Sequence, residues 1–267
     1  MSKTPMSARR RIAIASYKPP HEGVILGKLT LDCTEVVTYL ADLREATGER
    51  VSITGFMGAV IGRALAAEPT LNGRIHLGKY VAYDRVNVAF LVQIDGGKNL
   101  AQVLVEDIDT KSALDVHKLL QAKAGSVRGG TDENFNKSIA LTSKMPTPIL
   151  RRVLSFGGFV TTGMGKPFAG QPAFPFGSAV ITSFGMLGVD EGFVPPTPFL
   201  RVPLYIGIGK IADMVFAEDG KAVVKPGITI TATMDHRFVD GFQAATVSRV
   251  VRAAFADPQS VGTIPRG

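Results

Sequence analysis

The chain has 267 residues, of which 45% are hydrophobic and 20% are charged, a balance typical of a globular protein with one large domain or two small ones. No run of 18 apolar residues occurs, so the sequence predicts no membrane span. The net charge of +7 suits anionic ligands, but the chain lacks a nucleic-acid-binding signature, and its single cysteine excludes an internal disulfide.

The N-terminal residues are basic and have no apolar core of the kind found in signal peptides. A transit peptide would also be basic, but residues 12–16 are too few for an amphipathic helix and Pro19–Pro20 interrupts them. We therefore expect a cytoplasmic protein in which residues 1–20 form an N-terminal arm.

Alternating apolar residues predict a first strand over residues 24–32. Asp32 or Thr34 is the predicted N-cap of the helix that follows, and this helix ends at Gly48. Cys33, beside the start of the helix, is expected to be a small buried residue rather than a nucleophile.

A second predicted helix runs from Thr54 to the helix breaker Pro69, and a third runs from its cap, Ser112, to Gly125. The third helix places its leucines on one face. Between the two helices, residues 86–93 are almost wholly apolar, which indicates a strand that is covered on both faces.

The stretch from residue 125 to residue 178 is the least regular part of the sequence. Prolines and a run rich in glycine, phenylalanine and proline over residues 155–177 interrupt any periodicity, and only a short helix over residues 149–154 is predicted. The remainder is predicted to be a long loop, a lid or an excursion that contacts a partner. Its apolar content indicates that it packs against something.

Strands predominate afterwards, over residues 179–183, 202–209, 214–217 and 222–224, with a tight hairpin turn at Asp219–Gly220. Helices followed by a strand-rich half and a final helix predict an α+β fold, a mixed α/β two-layer sandwich. The sequence contains no internal repeat and no evident domain boundary, so residues 1–267 are expected to form a single domain.

The most informative segment is the run Met-Asp-His-Arg-Phe-Val-Asp-Gly over residues 234–241. A period-two strand over residues 227–234 leads into it, and a helical pattern that ends at Asp257–Pro258 follows it. This context places His236 on a strand-to-helix connection, and histidine is the most frequent general base near neutral pH. The alternative is a satisfied core histidine with Asp240 as a helix cap, but the whole constellation favours a catalytic site.

The other histidines, His21, His76 and His117, show no metal-ligand spacing, so no metal site is predicted. Glycine runs over residues 163–165 and 207–210 lack the spacing of a dinucleotide fingerprint and of a phosphate loop. The sequence therefore predicts neither kind of nucleotide site.

Residues 235–241 resemble the active-site signature of the catalytic domain of the dihydrolipoyl acyltransferase component of 2-oxoacid dehydrogenase complexes. That family shares its fold with chloramphenicol acetyltransferase, so the resemblance implies a chloramphenicol acetyltransferase-like fold. Similar segments extend over most of the chain, namely Arg9–Ala13, Pro20–His21, Leu31–Asp32, Leu71–Asn72 and Thr182–Val189.

The resemblance implies transfer of an acyl group between the thiols of dihydrolipoamide and coenzyme A, with His236 as the general base. In the family a serine hydroxyl stabilises the tetrahedral oxyanion, and this serine aligns with Thr182, which retains a hydroxyl. The neighbouring Ser183 is the alternative donor, because alternation along a strand turns only one of the two toward the site.

The carboxylate that aligns with Asp240 pairs in the family with an arginine and holds the histidine loop in shape. Arg9 best matches that arginine, and a solvated basic tail is an equally good interpretation of it. Gly241 is expected to let the backbone turn tightly into the final helix.

The resemblance further implies a homotrimer with active sites at subunit interfaces, where His236 of one chain meets Thr182 of the next. The sequence shows no lipoyl domain, peripheral-subunit-binding domain or flexible linker, so a lipoyl-bearing protein or a dehydrogenase subunit is expected to supply the lipoyl group in trans, unless the chain is a fragment. Residues 257–267 are mostly polar, which predicts isolated trimers rather than a cubic core. Residues 141–176 look inserted relative to the family pattern and would remodel the substrate channel.

Two other functions stay open at this point. A stand-alone enzyme that acylates a small alcohol or amine agrees with the missing lipoyl domain and with the insertion, whereas Asp235 before the histidine is more typical of the lipoyl enzymes. A non-catalytic structural subunit is the third interpretation, which the serine-to-threonine difference at Thr182 permits. The acyl group, whether acetyl, succinyl or branched, does not follow from the sequence.

Overall fold

The computed structural model describes residues 23–94, 99–128 and 147–262. Its strands are β1 (Val24–Asp32), β2 (Gly73–His76), β3 (Lys79–Ala82), β4 (Val88–Ile94), β5 (Asn99–Val105), β6 (Ala179–Ser183), β7 (Leu204–Ile208), β8 (Ala212–Glu218) and β9 (Lys221–Asp235). Its helices are α1 (Thr34–Thr47), α2 (Ile53–Ala67), α3 (Ala113–Arg128), α4 (Thr147–Gly158) and α5 (Gly241–Ala256). A π-helical turn, Phe159–Gly163, continues α4.

Seven strands form one mixed sheet in the order β1-β9-β7-β6-β4-β5, and β8 pairs with the first half of β9. The β4–β6 and β6–β7 pairs are parallel, and the other pairs in this sheet are antiparallel. Strands β2 and β3 form a separate hairpin. Helices packed on one face of a mixed sheet confirm the predicted α+β sandwich.

Helix α2 lies at the centre of the core and packs against α3, α5 and the sheet. Its middle, from Gly55 to Leu65, is buried except at Arg63, as expected for a helix enclosed by other elements. Two of its glycines permit close packing. A Cβ added at Gly58 would lie 2.6 Å from the Phe90 ring, and one at Gly62 would lie 2.8 Å from the Ile108 carbonyl oxygen.

Residues along the central strands alternate between two environments. The helix side carries the apolar core residues of β6, β7 and β9, namely Ala179, Ile181, Leu204, Ile206, Ile208, Ile228, Ile230 and Met234. On the opposite side, which we call the outer face, Val180 and Tyr205 join a smaller apolar cluster that includes Phe176 and Phe199. The outer face of β9 therefore carries its threonines, and these are buried: Thr229, Thr231 and Thr233.

The start of α1 differs in detail from the prediction. Cys33 occupies the N-cap position, where the sequence favoured Asp32 or Thr34. The Asp32 carboxylate nevertheless accepts a hydrogen bond from the Thr34 backbone N–H at 2.8 Å, so it satisfies a donor at the helix start from one position upstream. Cys33 is fully buried, as expected.

The strands predicted over residues 222–224 and 227–234 are parts of one continuous strand, β9, which also contains Pro226. Proline has no N–H to donate, but the ladder with β1 begins only at Gly227, so no β1 partner is needed at this position. The Pro226 carbonyl accepts a hydrogen bond from the Cys33 N–H at 2.7 Å. The two predicted strands are therefore joined through residues 225 and 226 into one.

The short strands β2 and β3 were not predicted from the sequence. Their turn consists of Leu77 and Gly78, with φ values of 47° and 73°. A two-residue hairpin turn needs positive φ, and leucine is a rare residue there, so the sequence carries a weak turn signal. Asn72, at the base of the hairpin, donates from its side-chain amide to the carbonyls of Tyr83 and Arg85 and accepts from the Ser178 hydroxyl at 2.6 Å.

Parts of the irregular region before β6 pack against the rest of the chain. Helix α4 extends beyond the predicted residues 149–154 and continues into the π-helical turn, most of which is buried. Gly158 lies so close to the Phe199 carbonyl oxygen that a Cβ would collide with it. The apolar content of this region thus indicated packing correctly.

Candidate active site

His236 lies on a tight connection between β9 and α5, which confirms the predicted strand-to-helix context. Its backbone N–H donates to the Gly23 carbonyl at 2.6 Å, and the N–H groups of Phe238 and Val239 both donate to the Asp235 carbonyl. These bonds tie the connection, residues 236–239, which we call the histidine loop, to the start of β1 and to the end of its own strand.

The His236 ring has a defined orientation. Its Nδ1 lies 2.6 Å from the Val239 carbonyl oxygen. A carbonyl oxygen only accepts, so Nδ1 carries the proton and the neutral ring has its lone pair on Nε2. The residue is partly buried. In this tautomer Nε2 is the ring atom that could accept a proton, as a general base does.

An ion pair between Asp235 and Arg237, which the sequence analysis did not predict, stabilises the histidine loop. The Arg237 guanidinium makes a bidentate contact with the Asp235 carboxylate, with Nε at 2.9 and 3.0 Å from its two oxygens. Asp235 Oδ1 also accepts the Arg237 backbone N–H at 3.0 Å. The side chains are 7% and 11% exposed, so water screens the pair little and the pair restricts the loop. The Asp-x-Arg spacing at the end of a predicted strand was the sequence feature from which this ion pair could have been predicted.

Asp240 is the N-cap of α5 and forms a capping box. Its carboxylate accepts the Phe242 N–H at 3.0 Å, and its own N–H donates to Gln243 Oε1 at 3.0 Å. The structure does not show the tight turn expected at Gly241. Its φ lies outside the left-handed region, and no atom of the described residues lies within 4 Å of where a Cβ would be. Helical backbone at this first position accommodates other residues. Arg9 lies outside the described residues.

Thr182 and Ser183 lie at the end of β6 and face opposite sides of the sheet. Ser183 shares its side with Ile181, in the core beneath the helices, whereas Thr182 shares the outer face with Val180. Both side chains are partly exposed. Of the two hydroxyls, only that of Thr182 points away from the helix layer.

A single chain does not bring Thr182 and His236 together. Thr182 is in register with Gly207 of β7, which is in register with Thr231 of β9. His236 follows Thr231 by five residues, which corresponds to roughly 16 Å along the sheet at a rise of about 3.3 Å per residue. The two groups are therefore far beyond hydrogen-bonding distance within one subunit.

A second arginine, Arg201, lies near the histidine loop. The Arg201 guanidinium lies over the Phe159 ring, 5.5 Å from its centroid, and burial together with the nearby charge of Arg237 lowers the pKa of Arg201. On another side of the loop, the Phe238 ring makes an edge contact with Tyr80 of β3. Neither contact was predicted, because residues distant in sequence make both.

Cys33 is unsuited to nucleophilic catalysis. Burial raises the pKa of its thiol to about 12, with a smaller effect from Asp32, so the unreactive thiol form predominates at neutral pH.

Within residues 23–94, 99–128 and 147–262, no three histidine, cysteine or acidic side chains are grouped as metal ligands would be. In the same ranges, no helix combines the length and the apolarity required to cross a bilayer.

Comparison with known proteins identifies the family. The family described as "2-oxoacid dehydrogenases acyltransferase (catalytic domain)" matches residues 16–134 and 174–263, which is more than three quarters of the chain. The acetyltransferase component of the pyruvate dehydrogenase complex of Bacillus subtilis is 31% identical over 84 residues, or 32% of this chain and 19% of that protein. The chain thus spans about a fifth of the length of that relative.

Solved structures share the fold. A probable dihydrolipoamide acetyltransferase from Listeria monocytogenes superposes with a TM-score of 0.66 at 13% identity, covering 100% of this chain and 98% of that one. A chloramphenicol acetyltransferase superposes with a TM-score of 0.52 at 11% identity, covering 94% and 99%. The expected chloramphenicol acetyltransferase-like fold is confirmed, and the chain belongs to the family of 2-oxoacid dehydrogenase acyltransferase catalytic domains.

Proposed function

We propose that the chain catalyses direct acyl transfer between the thiols of coenzyme A and a dihydrolipoyl group. The observation that carries the proposal is the contact between His236 Nδ1 and the Val239 carbonyl, which presents Nε2 as a base on a braced loop. Family membership and the name of the Bacillus subtilis relative, a dihydrolipoyllysine-residue acetyltransferase, support the choice of thiol substrates.

A thiol is mostly protonated at neutral pH, and its thiolate is the nucleophile. His236 Nε2 takes the thiol proton while the sulfur forms a bond to the thioester carbonyl carbon, and the carbonyl electrons move onto oxygen. Collapse of this tetrahedral intermediate breaks the bond to the leaving sulfur. That sulfur recovers the proton from the His236 imidazolium, so the base is regenerated.

The oxyanion of the intermediate is proposed to accept a hydrogen bond from the Thr182 hydroxyl of a neighbouring subunit. Two features support this assignment: Thr182 lies on the outer face of the sheet, and its separation from His236 excludes cooperation within one chain. A cyclic homotrimer would place the end of β6 from one subunit against the histidine loop of the next. Ser183, which faces the helix layer, is the less favoured donor.

Asp240 is proposed to act through structure rather than as a second base, since its carboxylate caps α5 directly after the loop. A pairing of Asp240 with Arg9 stays a proposal from the family resemblance. We likewise propose that the chain forms a single catalytic domain and is cytoplasmic. Its partner would be a lipoyl-bearing protein or a dehydrogenase subunit. The family match skips residues 135–173, which supports an insertion close to the proposed 141–176.

A stand-alone transferase that acylates a small alcohol or amine is the second candidate. The insertion favours it, because the π-helical turn places Phe159 beneath Arg201 and so lies beside the histidine loop. An insertion at this position would reshape the path by which an acceptor reaches His236.

The experiment supplies acetyl-coenzyme A with free dihydrolipoamide, or with a panel of small alcohols and amines, and separates the acylated products by chromatography. We expect S-acetyldihydrolipoamide from the natural chain and a rate lower by about 10²- to 10⁴-fold for His236→Ala. His76→Ala, a histidine substitution on β2, is the matched control and should leave the rate unchanged. Activity that survives His236→Ala refutes the base assignment, and products only from alcohols or amines select the second candidate.

A further inference from the structure

Arg74 of β2 is a buried cation whose side chain is incompletely satisfied. The residue is 4% exposed, and its Nε and Nη1 atoms have no hydrogen-bond partner among the residues that the structure describes. A buried guanidinium without a compensating anion is strongly unfavourable, and such groups are normally paired. A bound anion would therefore compensate the buried positive charge of Arg74.

A second unsatisfied group lies beside the first. The Tyr83 hydroxyl is buried and lacks a partner in the described part of the chain. Arg74 is in register with Val81, and Tyr83 follows Val81 by two residues on the same side of the hairpin. The Arg74 guanidinium carbon is 5.9 Å from the Tyr83 ring centroid, and burial raises the pKa of Tyr83 well above its usual range, so the hydroxyl remains a neutral donor.

Phe174 closes this pair from the other side. Its ring centroid lies 4.5 Å from the guanidinium carbon and 4.7 Å from the Tyr83 ring centroid. Its φ of 53° is unusual for an aromatic residue, and a hydrogen bond from its N–H to the Thr161 carbonyl at 3.2 Å holds it there. Strained backbone of this kind is common at ligand clamps, where the surrounding structure fixes it.

Three acidic side chains of the adjoining segments have other partners, and Asp84, which follows Tyr83, is exposed. Glu68 accepts a hydrogen bond from Thr70, and Glu106 and Asp107 both pair with Arg85. The side chain of Arg74 thus has cation–π contacts but no ion pair within the described ranges. An anion from solution would supply what the chain does not.

We propose that Arg74, Tyr83 and Phe174 form a binding site for a small organic carboxylate. One guanidinium and one neutral hydroxyl match a monoanion, whereas a phosphate dianion would be left with excess negative charge in a buried site. The aromatic ring occupies a face of the guanidinium and leaves its in-plane N–H donors for a flat carboxylate. The Tyr83 hydroxyl supplies a further donor.

This proposal does not rest on acyl transfer, because it requires only that the site bind. The hairpin that carries Arg74 also contacts the histidine loop through Tyr80 and Phe238. An occupied site would hold one side of that hairpin while the loop packs against the other.

The test titrates the full chain with acetate, propionate or inorganic phosphate at constant ionic strength, by calorimetry and by thermal unfolding. We expect saturable 1:1 binding of a carboxylate, with a parallel rise in unfolding temperature. Tyr83→Phe keeps the ring and should weaken binding about tenfold, the effect of one hydrogen bond. Arg74→Met should abolish the binding while leaving the unliganded protein at least as stable. Arg252→Met, an exposed arginine of α5, is the matched control and should bind as the natural chain does.

Three results would overturn the proposal. They are the absence of saturable carboxylate binding, equal binding by Arg74→Met and the natural chain, and saturation by phosphate but not by either carboxylate. Should Arg74→Met fail to fold, Tyr83→Phe decides alone, since unchanged affinity in that variant contradicts the site.

Discussion

At the residue scale, the two hydroxyls at the end of β6 separate by the side of the sheet that they face. Thr182 lies on the outer face, and Ser183 lies on the helix side. If Thr182 is the proposed oxyanion donor, Thr182→Val should lower kcat by about 10²- to 10³-fold with little change in KM, because such a donor acts only on the oxyanion. Steady-state kinetics of the transfer measure this.

The neighbouring positions supply the controls. Thr182→Ser keeps the hydroxyl and should retain most of the activity, and Ser183→Ala should resemble the natural chain. If Ser183→Ala loses activity while Thr182→Val keeps it, the assignment must be exchanged.

His117 predicts a pH dependence of stability. It is 5% exposed, its Nδ1 lies 3.4 Å from the Ser52 N–H, and burial lowers its pKa below 6.5, against a smaller opposite effect of Glu49. A histidine with a depressed folded-state pKa stabilises the protein above pH 6.5, and this contribution is lost as the pH falls through and below that value. We expect the free energy of unfolding to decline between pH 7 and pH 5.

His117→Asn keeps an acceptor near the Nδ1 position and does not titrate. Its free energy of unfolding should therefore decline less over the same pH range when both proteins are measured by urea denaturation. Parallel curves for the two proteins would assign the decline to other groups.

Only part of the site is predictable from local sequence. His236 and Asp240 fall within one short run, so their strand-to-helix context follows from periodicity on either side. The Val239 carbonyl and the Arg201 contact depend on loop geometry and on packing between distant segments. The alternation of side chains along a strand predicts that Thr182 and Ser183 face opposite sides of the sheet. Which of them faces the helices is known only from the three-dimensional structure.

At the scale of elements, the capping box of α5 connects helix stability to the histidine loop. Asp240→Ala removes the acceptor for the Phe242 N–H, so the free energy of unfolding should fall by about 1 kcal/mol. We also expect kcat to fall, because the loop ends at this residue. Denaturant unfolding and transfer kinetics measure the two effects.

Asp240→Asn distinguishes capping from charge, since asparagine is an equally good N-cap. If Asp240→Asn changes neither the free energy of unfolding nor kcat, Asp240 acts only as a helix cap. That result would contradict its proposed pairing with Arg9. A kcat that falls as it does in Arg9→Met would support that pairing.

The elements that were predicted well have strong, local patterns, such as α1, α2 and β6. The strands predicted over residues 222–224 and 227–234 are one strand in the structure, because Pro226 lies before the ladder with β1 and needs no N–H partner there. The apolar periodicity of α5 included Phe242, which is 69% exposed, because spacing locates a helix more reliably than the limits of its buried face.

At the scale of the whole molecule, a site shared between subunits predicts complementation. In a trimer that mixes His236→Ala and Thr182→Val chains, some interfaces combine an intact histidine with an intact threonine. Random 1:1 mixing should restore about a quarter of the natural number of sites, because each interface draws independently from two chains. Unfolding and refolding the two inactive variants together, followed by assay, tests this.

Each variant refolded alone is the control and should stay inactive. Recovery close to zero in the mixture, despite trimers of natural size in sedimentation, would place both residues in one chain's site and contradict the interface.

Several bonds that orient the histidine loop lie within one chain, namely those to the Gly23 and Val239 carbonyls and the Asp235–Arg237 pair. Dilution that separates the subunits would thus leave the imidazole in place and remove only its distant hydroxyl. Specific activity should therefore fall when the protein is diluted and recover when the sample is concentrated again. The NMR signals of the His236 ring should stay unchanged throughout. The catalytic rate would then report subunit association.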